Sequence, residues 1–127
     1  MQIYEKATFL VLSGPSHNLH KKHLHIVCTD PDANGNVVIV GITSYFNPLC
    51  DQTCILQATD HSWLNRKSYV FYRNAQIIAA AKLSKGIQNN SILIGDDMND
   101  QVFLRVRKGL CNSPQTKRNV KRYRGCL

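Results

Sequence analysis

Histidines and lysines lie close together near the start of the chain, at His17, His20, Lys21, Lys22, His23 and His25. Histidine exchanges a proton near neutral pH and lysine carries a positive charge, so this cluster suits acid–base chemistry beside a phosphate group. The cluster could also bind a metal ion, although the spacing His-x2-His-x-His matches no common zinc pattern. A third interpretation is a polar loop that leads into a strand with half-exposed imidazoles.

A second group of polar side chains begins at Asp60 and His61 and continues through Ser68, Tyr72 and Arg73. A ribonuclease without a metal ion needs a base for the 2′-hydroxyl, an acid for the leaving oxygen and cations that stabilise the phosphorane. This group offers those side-chain types, and an aromatic ring can stack on an unpaired base. In the alternative interpretation, Asp60 caps a turn and the tyrosines belong to the core.

The cysteines are irregularly spaced, at Cys28, Cys50, Cys54, Cys111 and Cys126. Their odd number argues against a disulfide framework and predicts free thiols in a reducing cytosol. Cys50-x3-Cys54 followed by His61 lacks a fourth ligand, so we predict small buried thiols there rather than zinc.

Other classes of protein find no support in the sequence. It lacks the motifs of nucleotide hydrolases, dinucleotide-dependent enzymes and metalloproteases, and we expect no cofactor and no metal. No apolar run approaches the ~20 residues of a membrane-spanning helix, and the first ten residues do not resemble a secretory signal. We therefore expect a cytoplasmic protein without a membrane partner.

Positive charge is concentrated at the C-terminal end. Residues 101–127 contain eight Lys and Arg and no Asp or Glu, which equals the net charge of +8 of the whole chain. Such a local excess attracts polyanions and predicts a nucleic-acid-binding surface. Its candidate residues are Arg105, Lys108, Lys117, Arg118, Lys121, Arg122 and Arg124. The alternative is a solvated helical face that only aids solubility.

Short apolar segments between turn residues must position these side chains. We predict strands over 7–13, 23–29, 37–43, 53–57 and 68–73, and we also assign 76–83 to a strand, although its alanines favour helix. In the second strand, His23 and His25 alternate with Leu24 and Ile26. Asn34-Gly35 predicts a hairpin, and the strand over 37–43 should be buried on both faces. This pattern predicts a small barrel or half-open sheet.

The C-terminal part predicts helix. Met98, Val102, Val106 and Leu110 recur every four residues, after an N-cap expected at 95–97. Ser113-Pro114 predicts the N-cap and first residue of a short basic helix, which should be solvated and mobile because it has few apolar residues. We therefore divide the chain into a β-barrel domain with a packed helix, residues 1–112, and a basic extension, residues 113–127.

The order of the segments resembles toxins of the MazF/PemK type from toxin–antitoxin systems. The motifs are Leu12-Ser13-Gly14-Pro15, Lys22-His23-Leu24-His25-Ile26-Val27, Val38-Ile39-Val40-Gly41-Ile42-Thr43-Ser44, Asp60-His61-Ser62-Trp63-Leu64 and Ser68-Tyr69-Val70-Phe71-Tyr72-Arg73. The resemblance implies a small SH3-like barrel that is mainly β (β+α), cleaves RNA, forms a homodimer and binds an antitoxin protein. This chain departs from the family where His23-Leu24 replaces Arg-Pro, so the catalytic arginine has no counterpart, and where Gly41 replaces proline.

The leading hypothesis is a toxin-like, metal-independent endoribonuclease from a toxin–antitoxin or phage-borne module. In this hypothesis, His61 and His23 share the acid–base work, and Lys22 and Arg73 stabilise the phosphate. Thr43 and Ser68 position the phosphate, and Tyr72 stacks on a base. Two alternatives stay open. One is a non-catalytic nucleic-acid-binding module that uses the basic segment, and the other is a phage factor that binds a host protein. The expected partners are RNA and an antitoxin.

Overall fold

A computed structural model describes residues 3–12 and 22–127, so the predicted cluster members His17, His20 and Lys21 lie outside the described residues. Its elements are β1 (Thr8–Leu12), β2 (Lys22–Val27), β3 (Asn36–Ser44), β4 (Ile55–Leu56), β5 (Ser68–Ala79), α1 (Ala80–Gln88), β6 (Ile92–Ile94), α2 (Asp100–Asn112) and α3 (Arg118–Arg124). The strands form one antiparallel sheet in the order β4-β5-β3-β2-β1-β6, which curls into a half-barrel. The predicted mainly-β, barrel-like fold with a C-terminal helix is confirmed.

Alternation along the strands divides the sheet into two faces. In β2, Leu24 and Ile26 contribute to one hydrophobic cluster, while Val27 belongs to the cluster on the other side. β3 is buried on both faces from Val37 to Ile42, as predicted. The predicted hairpin also forms, because Gly35 adopts a positive φ of 78° and Asp32 accepts hydrogen bonds from the backbone N–H groups of Asn34 and Asn36 at 2.8 and 2.9 Å.

One face, called here the helix face, is covered by α2 and α3. The predicted stripe of Val102, Val106 and Leu110 is buried there. Tyr72 of β5 is fully buried beneath α2, and its hydroxyl donates to the backbone oxygen of Val106 at 2.7 Å. A Cβ atom at Gly109 would overlap the Tyr72 ring and hydroxyl, so the absence of a side chain at this position lets the helix approach the sheet.

The other face, called here the groove face, is covered only in part. Phe9, Val37, Ile39 and Leu83 of α1 form a second, smaller cluster against it, with Ile87 of α1 packed alongside. α1 begins at Ala80, so the strand predicted over 76–83 is correct only as far as Ala79. From Ala80 onward, the strong helix propensity of alanine prevails.

A bulge of three extra residues divides β5 into two halves. Gly41 of β3 pairs with Phe71, whereas Ile39 pairs with Gln76, so one residue of β3 opposes four of β5. Asn74 accepts a hydrogen bond from the backbone N–H of Gly41 at 3.1 Å, and a Cβ atom at Gly41 would lie only 2.7 Å from the Asn74 amide nitrogen. The close approach of Asn74 in the bulge therefore explains why position 41 is a glycine.

The caps of the C-terminal helices differ from the prediction. α2 has its N-cap at Asn99, whose side chain accepts from the backbone N–H groups of Gln101 and Val102 at 2.9 and 3.4 Å, and not at 95–97. Ser113 is the C-cap of α2 and does not start the next helix. Its hydroxyl donates to Asp51 at 2.5 Å, and this bond connects the turn after α2 to the loop before β4.

The prediction that residues 113–127 are solvated and mobile is wrong. Val120 is fully buried in the larger hydrophobic cluster, which lies on the helix face and is called here the main core. The Tyr123 hydroxyl donates to Asp32 at 2.5 Å. A disulfide joins Cys111 at the end of α2 to Cys126 after α3.

This disulfide corrects the prediction that all five thiols are free, and it removes one of the arguments for a reducing cytosol. Cys28, Cys50 and Cys54 are buried free thiols. Within the described residues, no helix is long and apolar enough to cross a membrane.

Candidate nucleic-acid interface and groove

Basic side chains are spread along α2, the turn after it and α3. Lys108, Lys117, Arg118 and Arg122 are exposed, and Lys121 and Arg124 are half-buried. Among the described residues, ion pairs form only between Lys6 and Asp100 and between Arg105 and Asp60. The six side chains other than Arg105 therefore have no carboxylate partner there, and we call these six residues the basic surface.

Arg105 differs from the other predicted nucleic-acid-binding residues. Its guanidinium donates to the backbone oxygen of Ile55 at 3.2 Å and lies 3.5 Å from the Asp60 carboxylate. Asp60 in turn accepts from the backbone N–H of Gln57 at 2.7 Å, so this carboxylate caps the turn, which was the simpler of the two predicted roles. Arg105 connects α2 to the edge of the sheet, and half of its side chain stays accessible.

The groove face holds an open cavity of about 870 Å³, called here the main groove. Its apolar walls include Phe9, Phe46, Tyr69, Phe71 and Ile78, and the polar side chains in it are His23, His25, Thr43, Asn74, Gln76 and Lys82. His25 stacks on Phe9 with ring centroids 5.2 Å apart. Burial lowers the pKa of His25, because an imidazolium loses hydration in this position. A cavity of this size, mostly apolar with a few polar groups, is typical of a ligand site.

A smaller cavity of about 590 Å³, called here the side groove, adjoins the main groove, and His23 and Thr43 line both cavities. Three of the predicted catalytic residues, His23, Thr43 and Ser68, line it together. The Ser68 hydroxyl donates to the backbone oxygen of Arg66 at 3.0 Å, which leaves its lone pairs available. Thus the structure brings these three predicted residues together.

His61 is buried and both of its ring nitrogens have partners. Nδ1 lies 3.0 Å from the backbone nitrogen of Trp63, which can only donate, so Nδ1 must accept. Nε2 lies 2.8 Å from the backbone oxygen of Asp96, which can only accept, so Nε2 carries the proton. The Thr8 hydroxyl also donates to the Asp96 oxygen, at 2.6 Å. His61 thereby connects three segments of the chain and has no nitrogen free for a substrate.

Two further predicted residues, Tyr72 and Arg73, lie apart from the side groove, and a third, Lys22, is not described beyond its backbone. Tyr72 is completely buried on the helix face, so its ring is not accessible to a base. Arg73 is exposed on β5 beside the bulge, outside the residues that line either groove. Lys22 is the first residue of β2, and its side chain is outside the described part of the structure. The seven predicted residues do not form one cluster.

Several side chains around the grooves were not identified from the sequence. Phe46, Asn74, Gln76 and Lys82 line the main groove, and Trp63, Asn65 and Arg66 line the side groove. The alternation of side chains along β5 would have placed Gln76 on the same face of the sheet as His25, but only if the position of the bulge had been known. Among the described residues, no three His, Cys, Asp or Glu side chains are grouped as a metal site requires.

No protein-family model matches the chain, and no curated protein matches it. Relatives therefore add nothing to the functional argument, which depends on the residues of the two grooves and of the basic surface.

Proposed function

We propose that this protein binds RNA through the basic surface on α2 and α3. The observation that carries the proposal is that residues 101–127, which hold the whole positive excess, form folded helices whose basic side chains, apart from Arg105, have no carboxylate partner among the described residues. Fixed cations on a rigid support neutralise backbone phosphates and release counterions, and this release drives the binding of nucleic acids. The choice of RNA rather than DNA follows from the resemblance to RNA-cleaving toxins.

The salt dependence of binding tests this proposal. Each phosphate contact with single-stranded RNA contributes about 0.7 to the slope of log affinity against log salt concentration. We expect Lys117→Gln with Lys121→Gln to flatten this slope by about 1 to 1.5 units. The matched control removes the same charge elsewhere, through Lys67→Gln with Lys85→Gln, and should leave the slope unchanged. Equal slopes for all three proteins, measured by filter binding with labelled RNA, would contradict the proposal.

A second candidate function is the toxin-like, metal-independent endoribonuclease, with a smaller set of residues. It is favoured by one observation, that His23, Thr43 and Ser68 share the side groove with Arg66. His23 would move the proton and Arg66 would stabilise the phosphate, whereas His61 and Tyr72 would only maintain the fold.

The ribonuclease candidate is tested by RNA cleavage in EDTA. We expect cleavage to persist in EDTA and to disappear in His23→Ala, while the thermal melting of this variant stays like that of the wild type. If the wild-type protein binds RNA but leaves it intact, the ribonuclease candidate is refuted and only the binding function remains.

The remaining expectations on partners and location are also proposals. An acidic antitoxin would bind the basic surface with the same salt sensitivity as RNA, and a homodimer follows from the resemblance to the toxins. A phage factor that binds a host protein would use the exposed Phe46 and Leu49, which are 72% and 88% accessible. A cytoplasmic location is compatible with the three buried free thiols.

A further inference from the structure

The single tryptophan of the chain, Trp63, lies in the loop between β4 and β5 and lines the side groove. The residue stays 38% exposed, so the fold covers only part of its ring. Indole offers a large flat surface that can stack on another ring, and this surface borders a cavity of about 590 Å³. The uncovered part of the ring is therefore available to a planar ligand in the side groove.

Two neighbours fix the position of the Trp63 ring. The backbone N–H of Trp63 donates to Nδ1 of buried His61 at 3.0 Å, and the two rings meet edge to face with centroids 6.0 Å apart. The indole also stands against the backbone of Gly95, where a Cβ atom would lie 2.7 Å from the indole carbon Cζ3. Because the ring is already held in place, a ligand that stacks on it loses little affinity to the ordering of this side chain.

The polar side chains that line the same cavity suit a nucleotide. Arg66 is exposed and forms no ion pair among the described residues. Its Nε–H donates to the Asn65 side-chain oxygen at 3.4 Å, which leaves the terminal amino groups of the guanidinium and the amide nitrogen of Asn65 as donors. No Asp or Glu is among the described residues that line the side groove. An anionic group here meets a cation and no opposing carboxylate.

We propose that the side groove holds one unpaired base of a bound RNA strand, stacked on Trp63, with a phosphate of that strand at Arg66. This inference rests on the proposed RNA binding and gives it a site for a base, which the basic surface does not supply. Aromatic rings bind single strands in this way, because every base has a flat face. The guanidinium fork matches the oxygens of a phosphate, and the Asn65 amide donates to an acceptor on the base edge. Trp63 thus takes the stacking role that the sequence had suggested for Tyr72.

The first experiment uses the fluorescence of the wild-type protein, because its one tryptophan reports this site alone. We expect a single-stranded oligouridylate to quench the Trp63 emission in a saturable way, since a stacked base changes the surroundings of the indole. A blunt-ended RNA duplex is the control. The duplex binds the basic surface but offers no unpaired base, so it should leave the emission unchanged. Equal quenching by the duplex, or no quenching while filter binding shows the single strand bound, would overturn the proposal.

The second experiment removes the ring without changing the net charge. Trp63→Leu should weaken binding of the single strand by about fivefold or more, the effect of losing one stacked base, and should leave duplex binding unchanged. Trp63→Phe keeps an aromatic face and should retain most of the affinity. Tyr4→Leu is the matched control, because Tyr4 is 41% exposed and lines neither groove. A folding defect in Trp63→Leu would weaken both kinds of RNA alike, so equal losses for single strand and duplex, or no loss at all, would refute the site.

The salt slope separates the failure of this site from the failure of the proposed function. Trp63→Leu removes no charge and should keep the wild-type slope, whereas Arg66→Gln should flatten it by about 0.7, the value of one phosphate contact. If the Lys117→Gln with Lys121→Gln variant flattens the slope as expected but no RNA quenches Trp63, the function stands and the site is refuted. If uridine monophosphate quenches the emission while RNA does not bind, the proposed function fails and the side groove is a site for a free nucleotide.

Discussion

The two faces of the sheet differ in how completely they are covered. On the helix face, α2 and α3 close over the core, Tyr72 donates to the α2 backbone, and Val106, Leu110 and Val120 are completely buried. On the groove face, α1 covers one part and leaves a cavity of about 870 Å³ that contains histidines and amides. Stability should therefore depend mainly on the helix face, while the groove face can bind ligand because its polar groups are not all engaged.

The disulfide should give the largest effect on the helix face. Replacing both partners, Cys111→Ser with Cys126→Ser, opens a loop of 15 residues and should lower the free energy of unfolding by about 3 kcal/mol. Urea denaturation of this variant measures the loss. The control is Cys50→Ser, which removes a buried free thiol in the loop before β4. A loss below that of the control would show that the helix face does not depend on this bond.

Gly109 should give the next largest effect. A methyl group at this position overlaps the Tyr72 hydroxyl, so Gly109→Ala should destabilise the protein by about 2 kcal/mol, although alanine favours helix. Leu104→Ala on the exposed side of the same helix is the control and should change stability by less than about 0.5 kcal/mol. A Gly109→Ala variant that is more stable than the wild type would mean that α2 does not press on Tyr72.

The pH dependence of stability distinguishes the two faces by their titratable groups. Burial lowers the pKa of His25 below its usual 6.5, so above that pH both folded and unfolded chains hold a neutral ring. As the pH falls below 6.5, the unfolded chain takes up the proton first, and stability decreases until folded His25 is protonated as well. His25→Gln should reduce this loss, and urea denaturation from neutral to acidic pH measures it. An unchanged pH profile in this variant would exclude His25 as the cause.

The second titratable group is Asp51, whose carboxylate accepts a hydrogen bond from Ser113 at the end of α2. Burial alone would raise the pKa of its carboxyl, but hydrogen bonds from Ser113 and Thr53 lower it below 3.8 on balance. Its contribution is therefore complete above pH 3.8 and is lost as the pH falls through the folded pKa. Asp51→Asn removes this contribution and should lower the free energy of unfolding at neutral pH, where His25→Gln has little effect.

The smallest effects should come from the open part of the groove. His23→Ala and Phe46→Ala change exposed side chains, so each should alter the free energy of unfolding by less than about 0.5 kcal/mol. If either variant loses RNA cleavage while its stability is unchanged, the groove has a chemical role. A large loss of stability in either variant would contradict the comparison of the two faces.

Local patterns predicted most of the fold. Alternation separated His23 and His25 from Leu24 and Ile26, Asn34-Gly35 identified the hairpin, and the spacing of Val102, Val106 and Leu110 identified α2. These features depend on neighbours in sequence, and their physics is local. The same argument found the basic surface, because charge composition needs no coordinates.

Contacts between distant residues could not be predicted. Nothing in the sequence pairs Cys111 with Cys126 among five cysteines. The role of His61 depends on Thr8 and on the backbone of Asp96, far along the chain. Its proximity to Asp60 in sequence suggested catalysis, whereas the structure gives it a connecting role.

The bulge in β5 is a place where the length of the chain can change without moving the rest of the strand to the other face. Before the bulge, Val70 and Tyr72 belong to the main core, and after it Ala75 takes this place while Gln76 lines the groove. Residues that pair directly across two strands share a face, and Gly41–Phe71 and Ile39–Gln76 are such pairs on either side of the bulge. The three extra residues therefore add length without exchanging the inward and outward side chains that follow. Homologous chains should vary in length here while both pairings are kept, which makes this place the position for a gap when they are aligned.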